Sequence, residues 1–490
     1  MQTECNTDRL EFQPLEKREL VGIFDGGTIT SDAGGLLLRE VDAKTGILKR
    51  LAECFTDYRD PELIEHTVAE LVAQRVYALA LGYEDLNDHD QLRHDPLIAV
   101  LAGKDDPTGR DRVRERDRGK ALAGKSTLNR LELSPPRADE NSRYKKITAD
   151  LARMESLLTD LFLEADPTPP KQIILDFDAT DDPIHGHQLG RFFQGYYKRY
   201  CYLPLYVFCG EHLLCAQLRP ADQDGAAGSV AKLAALVERI RQRWPDVRII
   251  VRADSGFCRE NLMRWCEEHD VDYVVGLATN ARLRWEIDLE LELAKAKFEA
   301  TGEPARRFRD FRYQTRESWS RERRVVGKAE HLAKGSNPRF VVTSLSEEEY
   351  EGRSLYEEVY CGRGEMENRI KEQQLMLFAD RTSAGDMRAN QIRLYFASFA
   401  YTLLSAMRRI GLASTPLDRA QCNTIRLKLL KIGALVRITV RKIWVSFSSS
   451  YPYRDQFMAV LSNIRRAPQS DIRRAPQSDI RRTPQCVLRC

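Results

Sequence analysis

The spacing of apolar residues divides the chain into stretches of different period. Over residues 63–81, Leu63, Val68, Leu71, Val72, Val76, Leu79 and Leu81 recur at helical spacing, and 139–162 reads as a second amphipathic helix. Residues 97–102 are a short apolar run, and 20–28 reads as a strand ended by Gly26 and Gly27. Past Pro167, Pro169 and Pro170 the period shortens. Residues 172–178 form a β-branched apolar run of strand length, and 202–208 and 212–218 read as two strands about a Cys209-Gly210-Glu211 turn. A helix over 229–244 carries Val230, Leu233, Ala234, Val237 and Ile240 on one stripe. Strand 247–254, helix 259–269 and strand 271–277 follow. Three strands and then alternating helices and strands predict an α/β unit with a mixed sheet and helical crossovers. Residues 307–345 return to strand-like alternation, 356–378 and 387–412 read as long helices, and 425–444 reads as an amphipathic helix with a basic outer face. An eight-residue unit then repeats over 463–470, 471–478 and 479–486; three short, proline-punctuated copies predict a disordered basic tail without a site.

These patterns predict a mainly helical N-terminal region over 1–165, a core from 166–285 and 346–412, and a β-rich insertion over 286–345. A helical basic region over 413–460 and a tail over 461–490 complete the chain. A length of 490 residues suits two to four domains. The net charge of +3 identifies no partner by itself. Its distribution changes the picture: Arg and Lys concentrate over 110–146, over 306–334 and from 408 onward. A cleft lined by one sign of charge attracts a polyanion even on a near-neutral molecule, although each cluster is equally well read as solvated surface. The eleven cysteines show no zinc-type spacing, the N-terminus lacks the pattern of a secretory leader, and no apolar run reaches membrane-spanning length. A reducing cytoplasm and no membrane partner are expected.

The candidate chemistry is a set of carboxylates. Asp176 and Asp178 stand two apart at the end of a strand and share a face. A carboxylate ending a buried strand is costly unless a cation or hydrogen bonds satisfy it. Asp254 ends the 247–254 strand before Ser255 and Gly256 break it. Glu367 lies in a predicted helix with Arg363 and Lys371 one turn to either side. Two strand-end aspartates and a helix-borne glutamate offer the hard oxygen donors that Mg²⁺ prefers.

In order, Asp-Ala-Thr at 178–180, Arg-Ala-Asp-Ser-Gly-Phe at 252–257, and Tyr360, Arg363 and Glu367 at Tyr-x2-Arg-x3-Glu spacing resemble the three motifs of bacterial insertion-sequence transposases of the DDE superfamily. Asp181-Asp182-Pro183, the aromatic stretch 192–197 and Phe24-Asp25-Gly26-Gly27 resemble one subgroup of that branch. The resemblance implies an RNase H-like mixed-sheet catalytic core, a β-rich insertion between the second Asp and the Glu, and flanking DNA-binding regions. The 113 positions between Asp254 and Glu367 leave room for such an insertion. It implies Asp178, Asp254 and Glu367 as catalytic metal ligands for Mg²⁺, with Mn²⁺ able to substitute, and Tyr360 and Arg363 as DNA contacts. The implied partners are double-stranded DNA, as terminal inverted repeats and as target, and a second copy of the chain, forming a homodimer on DNA in a bacterial cytoplasm. One departure is Gln374, where the family often has a lysine two turns after the glutamate; Lys371 is the nearer substitute.

Other readings remain open on the residues alone. Asp176, Asp181 or Asp182 can replace Asp178 as the first ligand. Asp176-x-Asp178-x-Thr180 also fits the motif of haloacid-dehalogenase-like phosphatases, with Asp176 as nucleophile. A catalytically inactive DNA-binding protein is a third reading. His185 and His187 read as polar surface, and Trp319 as a packed residue or a base-stacking one.

Overall fold

The computed structural model describes residues 9–468. Among them a nine-stranded mixed sheet holds the centre. Its order runs His212–Gln217, Leu205–Cys209, Gln172–Ala179, Arg248–Ala253, Asp272–Leu277, Arg339–Thr343, Arg323–Leu332 and Ala305–Tyr313, with Gly335–Ser336 pairing off Arg323–Leu332. Gln172–Ala179, Arg248–Ala253 and Asp272–Leu277 are parallel neighbours; the other pairings are antiparallel. Parallel pairing requires crossovers, and the helices Ser229–Arg243 and Glu260–Glu268 supply them.

One face of the sheet packs against those helices. Leu175, Phe177, Ile249 and Val251 join Leu233, Val237, Ile240, Leu262 and Met263 in a single buried cluster. Alternation along the strands turns Asp176, Asp178, Arg252 and Asp254 to the opposite face. A helical path from Gly352 to Met376 covers that face, with Leu355 and Tyr356 packed on Ile250, Val274, Val326 and Val341. The strands read as an insertion thus extend the same sheet, after a helix over Asp288–Thr301.

The N-terminal region is mainly helical. Val68–Leu81 starts at Thr67, whose hydroxyl accepts from Glu70 N while Glu70 accepts from Thr67 N, a reciprocal cap. It packs on Met387–Met407, a largely buried 21-residue helix that also rests on the His212–Gln217 strand. The helical region therefore shares its core with the edge of the sheet at Leu205–Cys209 and His212–Gln217.

Three sequence expectations are corrected. Residues 139–162 are not one helix. Asp139 accepts hydrogen bonds from Asn141 N and the Ser142 hydroxyl, Ile147–Ala149 pairs with Phe55–Asp57, and the helix begins only at Leu151, capped by Asp150. Local Asp and Ser bonding outcompetes the helix there. The 425–444 segment is helical only to Leu430; Ala434–Ile438 and Ile443–Phe447 form a hairpin against Ile29–Thr30. Its buried Ala434 and Val436 follow the period of a strand, not of a helix. The helix Arg454–Arg466 continues into the first repeat unit, where Ile464 is buried and the Asn463 amide donates to Gly411 O at 2.9 Å. The remainder of the repeat tail, from 469, lies outside the described residues.

Candidate functional site

Register brings the two aspartate-bearing strands level. Arg252 pairs with Asp176 and Ala253 with Phe177, so one further step sets Asp254 beside Asp178. Asp254 then leaves the strand, its carboxylate accepting from Gly256 N at 2.9 Å. The third carboxylate arrives on the covering helical path, whose winding is uneven. Leu355–Tyr360 is a π turn, Cys361–Arg363 a 3₁₀ turn, Gly364–Lys371 an α-helix and Glu372–Met376 a second π turn. Changes of winding within one helix re-aim side chains and recur at functional sites. Here they turn Tyr360, Arg363 and Glu367 toward the strand ends.

Arg363 ties the pieces together. Its guanidinium donates to Glu367 at 2.5 Å and lies 3.8 Å from Asp178. Burial pushes the Asp178 carboxyl up to about 7; Arg363 pulls it down, and the charges of Asp254 and Glu367 push it further up. Burial lowers the Arg363 guanidinium, but Asp178 and Glu367 outweigh that and raise it. Asp178, Asp254, Glu367 and Arg363 therefore share one electrostatic neighbourhood. Its donors are hard oxygens, which suit a divalent cation. Among the described residues, however, no three Asp, Glu, His or Cys side chains are arranged to hold a metal ion, and the Arg363 guanidinium stands between two of the three carboxylates. The donor chemistry fits; cation binding requires Arg363 to give way.

Asp176 has a different position. Arg252 grips it with two hydrogen bonds, Nε to Oδ1 at 2.5 Å and Nη2 to Oδ2 at 2.8 Å, and both residues are buried. Burial raises its carboxyl and Arg252 lowers it. Arg252 also donates to Val359 O, so the pair clamps the sheet to the helical path. A carboxylate whose two oxygens are both engaged is a poor nucleophile, which argues against the phosphatase reading. Asp182 is fully buried, its carboxyl raised to about 8 by burial, and accepts from Gln374 at 2.7 Å. Gln374 also donates to Asp181 O at 3.2 Å, so the residue at the expected lysine position ties the glutamate helix to the loop after Asp178. Lys371 is exposed.

Further contacts are not evident from the motifs. The Tyr360 hydroxyl lies against Gly276 on the neighbouring strand: a Cβ there would stand 2.5 Å from that oxygen and 2.9 Å from Ser255 N. Gly276 thus makes room for Tyr360 beside Asp254. Tyr197 donates to Ala179 O at 3.1 Å, and its hydroxyl is raised by burial and by the charge of Asp178. The aromatic stretch 192–197 signals Tyr197, but only the fold places it next to Asp178.

Other candidates fall away from this centre. His185 and His187 are exposed. Trp319 is buried against Tyr313 with Arg323 over its ring, so it is packed and not available to a base. Much of the 306–334 basic cluster is neutralised internally: Arg306 and Lys328 by Glu330, Arg323 by Glu260 and Glu267, Arg324 by Asp310. No helix among the described residues is long and apolar enough to cross a membrane.

No curated protein matches the chain. A solved structure of a piggyBac transposase synaptic complex with hairpin DNA is similar at 12% identity, covering 82% of this chain and 86% of that chain, with a TM-score of 0.33. The family described as transposase DDE domain group 1 matches residues 12–469, nearly the whole length that holds the sheet, the strand-end aspartates and the glutamate helix, and the chain belongs to that family.

Proposed function

We propose that this chain cuts DNA at the ends of its own mobile element and joins those ends to target DNA, with Asp178, Asp254 and Glu367 as the catalytic carboxylates. The observation that carries this reading is the shared neighbourhood of the three, with Asp178 buried and raised to about 7 under the charges of the other two. The strand order, three antiparallel strands from His212–Gln217 to Gln172–Ala179 followed by the parallel Arg248–Ala253 and Asp272–Leu277 with two helical crossovers, supports an RNase H-like core. The Tyr360, Arg363 and Glu367 spacing supports placement in the bacterial insertion-sequence branch.

On this reading Asp178, Asp254 and Glu367 would hold Mg²⁺, or Mn²⁺ in its place. When bound, the cation supplies Lewis-acid stabilisation of the attacking and leaving oxygens of an in-line phosphodiester exchange. Arg363 exchanges its carboxylates for a phosphate oxygen when DNA enters, a charge-assisted contact that its planar fork suits. Tyr360 offers its hydroxyl beside Asp254 to the same backbone. Asp176 and Arg252 keep the strand ends and the helical path in register. No side chain need form a covalent bond to DNA, so no nucleophilic Ser or Tyr is assigned. The partners are terminal inverted repeats, target DNA and a second copy of the chain, in the cytoplasm of a bacterium.

The test is Mg²⁺-dependent cleavage of a duplex carrying the element's end sequence. Wild type is expected to nick at the end, and Asp254→Ala to lose the activity while still binding the duplex. Equal cleavage by both would end the assignment.

A further inference from the structure

A small three-stranded sheet stands beside the carboxylates. Phe192–Gln194 and Arg199–Tyr202 form a hairpin, and Asp182–Pro183 pairs along its second strand. Two contacts fix it to the site: Tyr197 on Ala179 O at 3.1 Å, and Arg199 Nε 3.6 Å from Asp181. The end of the hairpin away from its turn is anchored by the fully buried Cys201 and Tyr202. Nearer the turn the hairpin presents aromatic rings to solvent. Phe193 and Tyr200 are opposite partners with ring centroids 5.6 Å apart, and Tyr196 at the turn is 85% exposed. Arg191 lies over the Tyr200 ring at 4.8 Å, and Lys198 is exposed at the turn.

Mutual packing accounts for Phe193 and Tyr200, since cross-strand aromatic pairs stabilise hairpins. Tyr196 meets Tyr197 edge-on at 5.0 Å yet leaves most of its surface in solvent, and ring pairing does not account for solvent-facing rings grouped with cations at the rim of a reaction centre. Exposed aromatic faces flanked by basic side chains are the chemistry of a stacking platform for unpaired nucleotides. A base inside a duplex shows its face only to its neighbours, so such a platform selects nucleotides that have left the stack. We propose that the 192–202 hairpin binds unpaired nucleotides adjoining the cleavage point, with Phe193, Tyr196 and Tyr200 stacking on bases and Arg191 and Lys198 meeting the backbone. This deepens the proposed function and rests on it for the origin of the unpaired strand, but binding at the platform does not require cleavage.

The test compares full-length protein binding to a blunt duplex and to the same duplex with a 3′ overhang of thymidines, by fluorescence anisotropy. Wild type is expected to prefer the overhang by about tenfold, the scale of one or two stacked bases. Phe193→Ala/Tyr196→Ala is expected to abolish that preference while keeping blunt-duplex affinity, with the melting temperature lowered only slightly by loss of the Phe193–Tyr200 pair; Tyr196→Trp is expected to retain both the preference and the melting temperature. A wild type without preference, a double variant that keeps it, or equal loss on both duplexes overturns the proposal. Loss of cleavage in Asp254→Ala with an intact overhang preference separates this site from the catalytic assignment.

Discussion

Replacing Asp178 by Asn should stabilise the protein when no divalent cation is present. The folded state raises this carboxyl from 3.8 to about 7, chiefly by burial and then by the charges of Asp254 and Glu367. Between those pH values the folded chain holds a proton that the unfolded chain has released, so stability falls as pH rises through the interval. Above pH 7 both states are ionised and the cost is fully expressed. A carboxyl displaced from 3.8 to about 7 costs about 4 kcal/mol at full ionisation. Asn is nearly isosteric and neutral, and it keeps an oxygen for the Ala179 N–H that Asp178 accepts at 2.9 Å. It therefore escapes most of that cost. For a chain of this size, where unfolding entropy scales with length, the gain corresponds to roughly 2–4 °C in melting temperature at pH 8. At pH 4 the gain should nearly vanish, because the wild-type carboxyl is then protonated in the folded state. Thermal unfolding of both proteins in a chelator, at pH 4, 6 and 8, measures this. A variant less stable than wild type at pH 8, or a difference that does not change with pH, would refute the reasoning.

Other parts of the site yield further expectations. Arg252→Met strands the buried Asp176 carboxylate and should cost about 3–5 kcal/mol in chemical denaturation. Asp176→Leu/Arg252→Met should recover most of that, and a double variant no better than the single would contradict the buried-pair account. Gly276→Ala places a Cβ 2.5 Å from the Tyr360 hydroxyl and should displace it. Overpacking of this kind costs about 1–3 kcal/mol, and loss of alignment should lower cleavage about a hundredfold; unchanged cleavage would show that Tyr360 has no part in it. Protons compete with the cation for Asp178, so lowering the pH from 7 to 5 should raise the Mg²⁺ concentration needed for half-maximal cleavage, and a Mg²⁺ requirement that does not change with pH would count against its role.

The central α/β unit is legible in the sequence because its signals are local. The 172–178 run, the 229–244 stripe and the strand before Asp254 each carry their own period, and the observed Gln172–Ala179, Ser229–Arg243 and Arg248–Ala253 match them closely. The ordered motif set singles out Asp178, Asp254 and Glu367 as candidates, and the fold brings them into one neighbourhood. What the sequence hides depends on register and on partners far away in the chain. Arg252 reads as a basic residue in a strand, and only its pairing level with Asp176 turns it into a clamp. Arg363 reads as a DNA contact, yet without DNA it sits on Glu367. The basic 306–334 cluster reads as a polyanion surface until strand pairing sets its own Asp310 and Glu330 against Arg324 and Arg306 and a helix brings Glu260 and Glu267 onto Arg323. The hairpin at Ala434–Phe447 reads as a basic amphipathic helix because its short strand alternation is mixed with basic residues, and the partner that completes its sheet, Ile29–Thr30, lies some four hundred residues away.

Manganese titration followed by electron paramagnetic resonance, on protein bound to end-sequence duplex, addresses the shared carboxylate centre most directly. Wild type should take up Mn²⁺ saturably, with Asp178→Ala, Asp254→Ala and Glu367→Ala each weakening uptake while the duplex stays bound. Undiminished uptake in all three variants would mean that these carboxylates do not form a common cation site.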